Sequence, residues 1–266
     1  MFDKPIFQGL LHSGLPDLEA LYRVGKIPMV TRNTVVGAPG WEDKLGLPDE
    51  SWVAAMVAMT NPQRGVVLID HEDWLYGTQA ERQATAAKYV TLYQMIKAQR
   101  PGWKIGWYCD PLRRDFWASA KDCGSSEYKT WQAMNTDLGA VMAPYTDIFM
   151  PSLYFFYTRD TASSTVDQAG VYIEAHLREV KRLRRLYGKL ESPIYPYIWY
   201  RKHDDSRDLD ADVWAKIFRD VLEQADGCVL WGGFKTTVPT GAIPWDENAA
   251  WWQPVKGFLT DKRRTT

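Results

Sequence analysis

Val66-Val67-Leu68-Ile69-Asp70-His71-Glu72-Asp73-Trp74 is an apolar run that finishes in acids. It reads as a strand. Side chains two positions apart on a strand point to the same face, so Asp70 and Glu72 are expected to project together from its end. Two carboxylates held close do not both ionise easily, and the raised pKa of one supplies a protonated acid near neutral pH, the group that departure of a sugar from a glycosidic bond requires. A polar strand terminus or a helix-capping loop is the plainer reading of the same residues. Metal binding is disfavoured, because the chain has only four histidines and none stands at ligand spacing from His71.

Working outward, further apolar runs lie at 6–10, 27–30, 104–108, 148–153, 194–197 and 228–230, and each is followed by polar or aromatic residues. Longer segments with helical spacing separate them. Thr78-Gln79-Ala80-Glu81 reads as a capping box; Ala86, Tyr89, Tyr93 and Ile96 then share a face, and Pro101-Gly102 stops the helix. The spacing of Val166, Ala169, Ile173, Leu177 and Val180 predicts a helix over 165–187 that closes at Gly188. Its Lys181, Arg182, Arg184 and Arg185 read as a solvated face complementing the helix dipole rather than as a nucleic-acid patch. A third helix is predicted from near Asp210, burying Trp214, Ile217, Phe218 and Val221 and ending before Gly227.

Strands alternating with helices of this length imply βαβ units, right-handed crossovers and a parallel sheet. An open doubly wound sheet gathers its ligands at one switch point, whereas here every strand candidate ends in chemically loaded residues, as in a barrel. The expected fold is therefore α/β, a (β/α) TIM-like barrel, irregular, with seven or eight strands. It forms one catalytic domain over 1–260, with a disordered tail over 261–266 and a long Pro/Gly-rich loop over 37–46 at the barrel mouth. The length of 266 residues is close to the ~250 typical of one such barrel.

Composition narrows the partners. A net charge of -1 leaves no electrostatic footprint for a nucleic-acid backbone. No apolar stretch approaches the ~18 residues of a membrane span and no signal segment opens the chain, so a soluble protein is expected. The three cysteines, Cys109, Cys123 and Cys228, have neither the number nor the spacing of a disulfide framework or zinc site and are expected to be buried thiols. No cofactor is implied. The 13 tryptophans and 14 tyrosines fit an aromatic-lined groove for sugar faces, and equally an aromatic core.

Taken together, several of these segments resemble the hyaluronidase family of glycosidases. Asp70-His71-Glu72-Asp73-Trp74 looks like its D-x-E-x-W strand end, Gly106-Trp107-Tyr108-Cys109-Asp110-Pro111 like its G-[YF]-Y-x-x-P segment, and Pro151-Ser152-Leu153-Tyr154 like its P-S-x-Y segment. Pro196-Tyr197-Ile198-Trp199-Tyr200-Arg201 resembles a P-Y-x-W-Y-[KR] segment of some members, and Gly227-Cys228-Val229-Leu230-Trp231-Gly232 resembles its G-V-x-x-W-G strand. The resemblance implies a retaining mechanism in which the substrate's 2-acetamido oxygen is the nucleophile, a recognised alternative to the two-carboxylate scheme. It implies Glu72 as acid/base, Asp70 holding the acetamido N–H and Tyr154 its oxygen. It implies that Tyr108, Asp110, Ser152, Tyr197, Tyr200 and Trp231 form the substrate-binding set.

The expected partner is a glycan or polysaccharide containing N-acetylhexosamine. Leu75 stands where the family often has a basic residue, and Gly233-Phe234 where it tends to small polar ones; Arg113, Arg114, Arg201 and Lys202 could supply a basic groove for a polyanion. The lack of a disulfide framework points to a bacterial or viral enzyme acting on extracellular or cell-wall glycan. A muramidase-type lysozyme and a non-catalytic glycan-binding barrel, part of a larger particle or fibre, stay open as alternatives.

Overall fold

The computed structural model describes residues 4–35, 39–62, 65–155, 166–202, 207–235 and 241–263. In chain order the elements are β1 (Ile6–Leu10), α1 (Leu18–Tyr22), β2 (Gly25–Lys26), β3 (Met29–Val30), α2 (Glu50–Met59), β4 (Val66–Ile69), α3 (Gln79–Gln99) and β5 (Lys104–Tyr108). They continue with α4 (Phe116–Ser119), α5 (Ser126–Met142), β6 (Ile148–Met150), α6 (Val166–Leu186), β7 (Tyr197–Trp199), α7 (Ala211–Gln224), β8 (Cys228–Gly232), β9 (Phe234–Lys235), β10 (Gly241–Ala242) and α8 (Trp252–Arg263). Two compact units divide them, one made of Ile27–Pro151 and Arg178–Pro193, the other of Met1–Lys26, Ser152–Leu177 and Ile194–Thr266.

The first unit holds a four-stranded sheet in the order β3-β4-β5-β6. Its pairings are all parallel, with Ile69 beside Trp107 and Tyr108 beside Met150. Its core sets Val67, Ile69, Ile105 and Trp107 against Trp52 and Met56 of α2, Tyr89, Leu92 and Ile96 of α3, and Leu138 and Met142 of α5. The capping box forms as expected: Glu81 N–H donates to the Thr78 hydroxyl at 3.1 Å, and Thr78 N–H to the Glu81 carboxylate at 2.7 Å. Helix α5 follows no apolar stripe, since its buried face includes Asn135 and Gly139. Gly139 is required there, because a Cβ would lie 2.6 Å from the Tyr187 ring. The loop over 39–49 is pinned by two indoles, Trp41 and Trp74, which both donate to the Gly46 carbonyl at 3.1 Å; residues 36–38 lie outside the described residues.

The second unit holds the sheet β2-β1-β8-β7, again parallel throughout. Helix α7 buries Trp214, Ile217, Phe218 and Val221, the residues its periodicity names. The Trp214 indole donates to the Trp251 carbonyl at 2.7 Å, at the start of α8.

Several boundaries differ from the expectation. β6 ends at Met150 and β7 begins at Tyr197, because Pro151 and Pro196 have no N–H to donate to a ladder. Helices α2, α5 and α8 occur where none was expected; α8 is helical through Arg263, into the segment expected to be a tail, while 264–266 lie outside the described residues. Cys109 and Cys228 are buried, but Cys123 is exposed. The basic turn of α6 is not simply solvated. Arg182 donates twice, at 2.7 Å, to the Glu179 carboxylate, which has no exposed surface.

Candidate active site

In the first unit the chain leaves β4 with Asp70 N–H still bonded to the Val30 carbonyl at 2.9 Å, so strand geometry persists to the first acid. His71 turns to the opposite side. It is buried between Trp41 and Trp74, at ring distances of 4.6 and 4.5 Å, and its Nε2 donates to the Lys44 carbonyl at 2.8 Å. Burial lowers the His71 pKa, so the imidazole is a neutral anchor for the strand end. Glu72 is exposed, while Asp70 is mostly covered.

Burial, then the Glu72 charge, then Asp110 push the Asp70 carboxyl up to about 7. The raised acid that the D-x-E spacing predicts is therefore Asp70, the more covered of the two.

Asp110, expected to bind substrate, follows the neighbouring strand β5 and is buried. It is 3% exposed. The hydroxyls of Tyr76 and Tyr89 each donate to its Oδ2 at 2.9 Å, and Arg113 approaches the same oxygen at 3.6 Å while lying 3.8 Å over the Tyr76 ring. Burial raises the Asp110 pKa against these partners. Its Oδ1 has no hydrogen-bond partner among the described residues. Tyr76 and Tyr89 escape the sequence reading: Tyr89 carried only the signal of a helix face, and Tyr76 sits in a loop with no pattern. Tyr108 is buried on β5.

In the second unit, Ser152 and Leu153 run alongside β7, with a parallel bridge from Ser152 to Tyr197 and a bond of 2.8 Å from Leu153 N–H to the Tyr197 carbonyl. Tyr154 is buried edge-on to Trp199, with ring centroids 5.5 Å apart. Tyr197 is fully buried and tilted against Trp231 at 6.3 Å, and Trp231 itself is half-buried. A Cβ on Gly9 would lie 3.0 Å from Trp231, so the glycine gives this indole its place. Tyr200 stacks on Trp251 at 4.2 Å, and its hydroxyl meets His12 Nε2 at 3.2 Å. His12 Nδ1 lies 3.4 Å from the Pro244 carbonyl and must donate to it. Nε2 then accepts from Tyr200.

The arginines expected to line a polyanion groove are largely engaged elsewhere. Arg113 is paired with buried Asp110, and Arg201 bonds Asp208 at 2.7 Å with its side chain 16% exposed. No cluster of three or more His, Cys, Asp or Glu among the described residues could hold a metal ion. No helix among them is long and apolar enough to cross a membrane.

No protein-family model and no curated protein matches the chain in sequence. Its structure is similar to solved ones. Bee venom hyaluronidase in complex with a hyaluronic acid tetramer superposes with a TM-score of 0.63 at 12% identity, covering 99% of this chain and 97% of that one. A monoclinic crystal form of bee venom hyaluronidase gives 0.61 at 12% identity, over 86% and 91%. The active domain 2 of a thermostable chitinase from Pyrococcus furiosus, in catalytic-site mutants complexed with chito-oligosaccharides, gives 0.51 at 12%, over 98% and 97%. At that identity the likeness shows the fold. It is the α/β fold of TIM-barrel glycoside hydrolases.

Proposed function

We propose that the chain is a retaining glycoside hydrolase acting on glycans that contain N-acetylhexosamine, with Glu72 as its acid/base. The observation that carries this reading is the pair at the end of β4, an exposed Glu72 beside a covered Asp70 whose carboxyl is raised to about 7. Strand ends of this kind hold the catalytic groups in (β/α) barrels. The solved structures with this fold include one holding a hyaluronic acid tetramer and one holding chito-oligosaccharides. Both ligands carry N-acetylated sugars.

In the first step the proton held in the Asp70–Glu72 pair passes through Glu72 to the glycosidic oxygen as the bond from that oxygen to the anomeric carbon breaks. The substrate's acetamido oxygen bonds to the same carbon from the opposite face, forming a cyclic intermediate. Asp70, ionised once the pair's proton has left, accepts from the acetamido N–H and stabilises the positive charge developing there. In the second step Glu72 takes a proton from water, whose oxygen bonds to the anomeric carbon as the acetamido oxygen departs. Two inversions restore the original configuration. In this scheme turnover needs the proton that Asp70 holds below about pH 7, and it is expected to fall as pH rises through that value.

Tyr154, Tyr197 and Trp231 enter on the family resemblance, Tyr154 as the donor to the acetamido oxygen and the others as pocket walls. Asp110 and Tyr200, both turned to internal partners, act on the substrate only through what they hold. The deciding experiment is a reducing-end assay of wild type, Glu72→Gln and Tyr154→Phe on hyaluronan, chondroitin, chitin and peptidoglycan. Glu72→Gln is expected to lose at least about 100-fold in kcat and Tyr154→Phe a smaller factor. Unchanged turnover in Glu72→Gln rejects the assignment. Binding without turnover in every protein favours a non-catalytic glycan-binding barrel, and activity on peptidoglycan alone favours a muramidase.

A further inference from the structure

Helix α4 begins where Asp115 Oδ1 accepts from the N–H groups of Trp117 and Ala118 at 3.0 and 2.8 Å. Its Phe116, Ala118 and Ser119 are buried. The backbone at Trp117 is therefore fixed, yet the indole is 69% exposed, the most exposed large apolar side chain among the described residues. Packed at one edge against Phe116, the exposed indole offers a flat apolar platform. It is part of the wall of a groove of about 720 Å³, whose other walls are the first turn of α3 and one side of α5. That volume falls within the range of small-molecule sites.

One of the loops that shape the groove continues from the candidate acids and the other from Asp110. Gly77 and Arg82 follow Glu72 in the segment from β4 into α3, and α4 follows Asp110. Arg82 is tied back to that segment through the carbonyls of Tyr76 and Gly77, both at 3.2 Å. The charged groups around the groove are Asp115, Glu127 and Asp137 against Arg82 and Lys121. Acids exceed bases by one, and Arg82 already faces Asp137 at 3.4 Å. An aromatic platform with scattered hydrogen-bonding groups fits the apolar face and hydroxyls of a pyranose ring. A local excess of acid disfavours a polyanionic chain.

We infer that the groove between α4 and α5 is a glycan-docking site in which Trp117 stacks a sugar of an uncharged N-acetylhexosamine chain. This deepens the glycosidase reading and rests on its substrate class: the groove would hold a part of the chain away from the bond being cleaved, and it favours chitin-like polymers over hyaluronan.

The test is calorimetric titration of Glu72→Gln, and of Glu72→Gln combined with Trp117→Ala or Trp117→Phe, with chito-oligosaccharides and with hyaluronan oligosaccharides. Trp117→Ala is expected to weaken chito-oligosaccharide binding about 3- to 10-fold, with Trp117→Phe recovering part of the loss and hyaluronan binding weaker and unaffected. Equal binding in the presence and absence of Trp117 removes the site. A loss as large for hyaluronan as for chito-oligosaccharides overturns the preference for an uncharged chain. Turnover of the parent protein, measured separately, keeps the two readings apart. Trp117-dependent binding with no turnover leaves the site and removes the hydrolase, whereas turnover with Trp117-independent binding does the reverse. Trp117 is exposed, so its replacement leaves the folded protein available to both measurements.

Discussion

Asp70 shows how one residue's surroundings alter its chemistry. In an unfolded chain it would ionise at about 4, but in place it holds its proton to about 7, chiefly through burial and then through Glu72 and Asp110. Between those values the folded protein binds a proton that the unfolded chain does not, so stability declines as pH rises from about 4 to about 7 and levels off above. Asp70→Asn is expected to flatten that decline, read as the urea midpoint across the same range; a slope identical to wild type would place the titration elsewhere. The D-x-E spacing alone shows that two acids share a face. It does not show which one is covered, because cover comes from neighbouring chain. The same is true of Asp110, whose partners Tyr76 and Tyr89 lie far from it in sequence and place it in a buried polar cluster.

Elements whose determinants are local were the most legible. The Thr78 capping box needs only residues three apart and forms with both of its bonds. Thr78→Ala should cost roughly 1 kcal/mol without altering catalysis, measured as a shift in denaturation midpoint with kcat unchanged. A loss of activity at full stability would mean that the loop before α3 is tuned by its cap. Helix α7 was equally readable, because its apolar stripe is complete. Helix α5 was not, since Asn135 and Gly139 on its buried side interrupt the stripe. Their value appears only in the partners: Asn135 Oδ1 accepts from Arg113 N–H at 3.0 Å, and Gly139 makes room for Tyr187.

Across the molecule, charge was the property hardest to place from sequence. Arg182 looked like one member of a solvated basic turn. It is held by Glu179, which also accepts from Gln132 at 2.9 Å. Removing Arg182 leaves the fully buried Glu179 carboxylate without its cation, so Arg182→Ala is expected to cost about 3–5 kcal/mol. A loss below about 1 kcal/mol, the range of exposed pairs, would show the pair to be a surface one. Arg113 follows the same logic with the buried Asp110, whereas Arg201 pairs with an exposed acid, Asp208.

The sequence by itself determined the alternation of parallel strands with helices, the strand ends at which polar residues gather, and the shared face of Asp70 and Glu72. These follow from the strand and helix periods and from caps, all of which act over a few residues. Tertiary structure alone decided that Asp70 keeps its proton to about 7, that the carboxylates beside Arg113 and Arg182 are buried, and which tryptophan of the 13 stands exposed beside a groove. Burial depends on segments distant in the chain, and desolvation, which sets the proton on Asp70, exists only once those segments have packed.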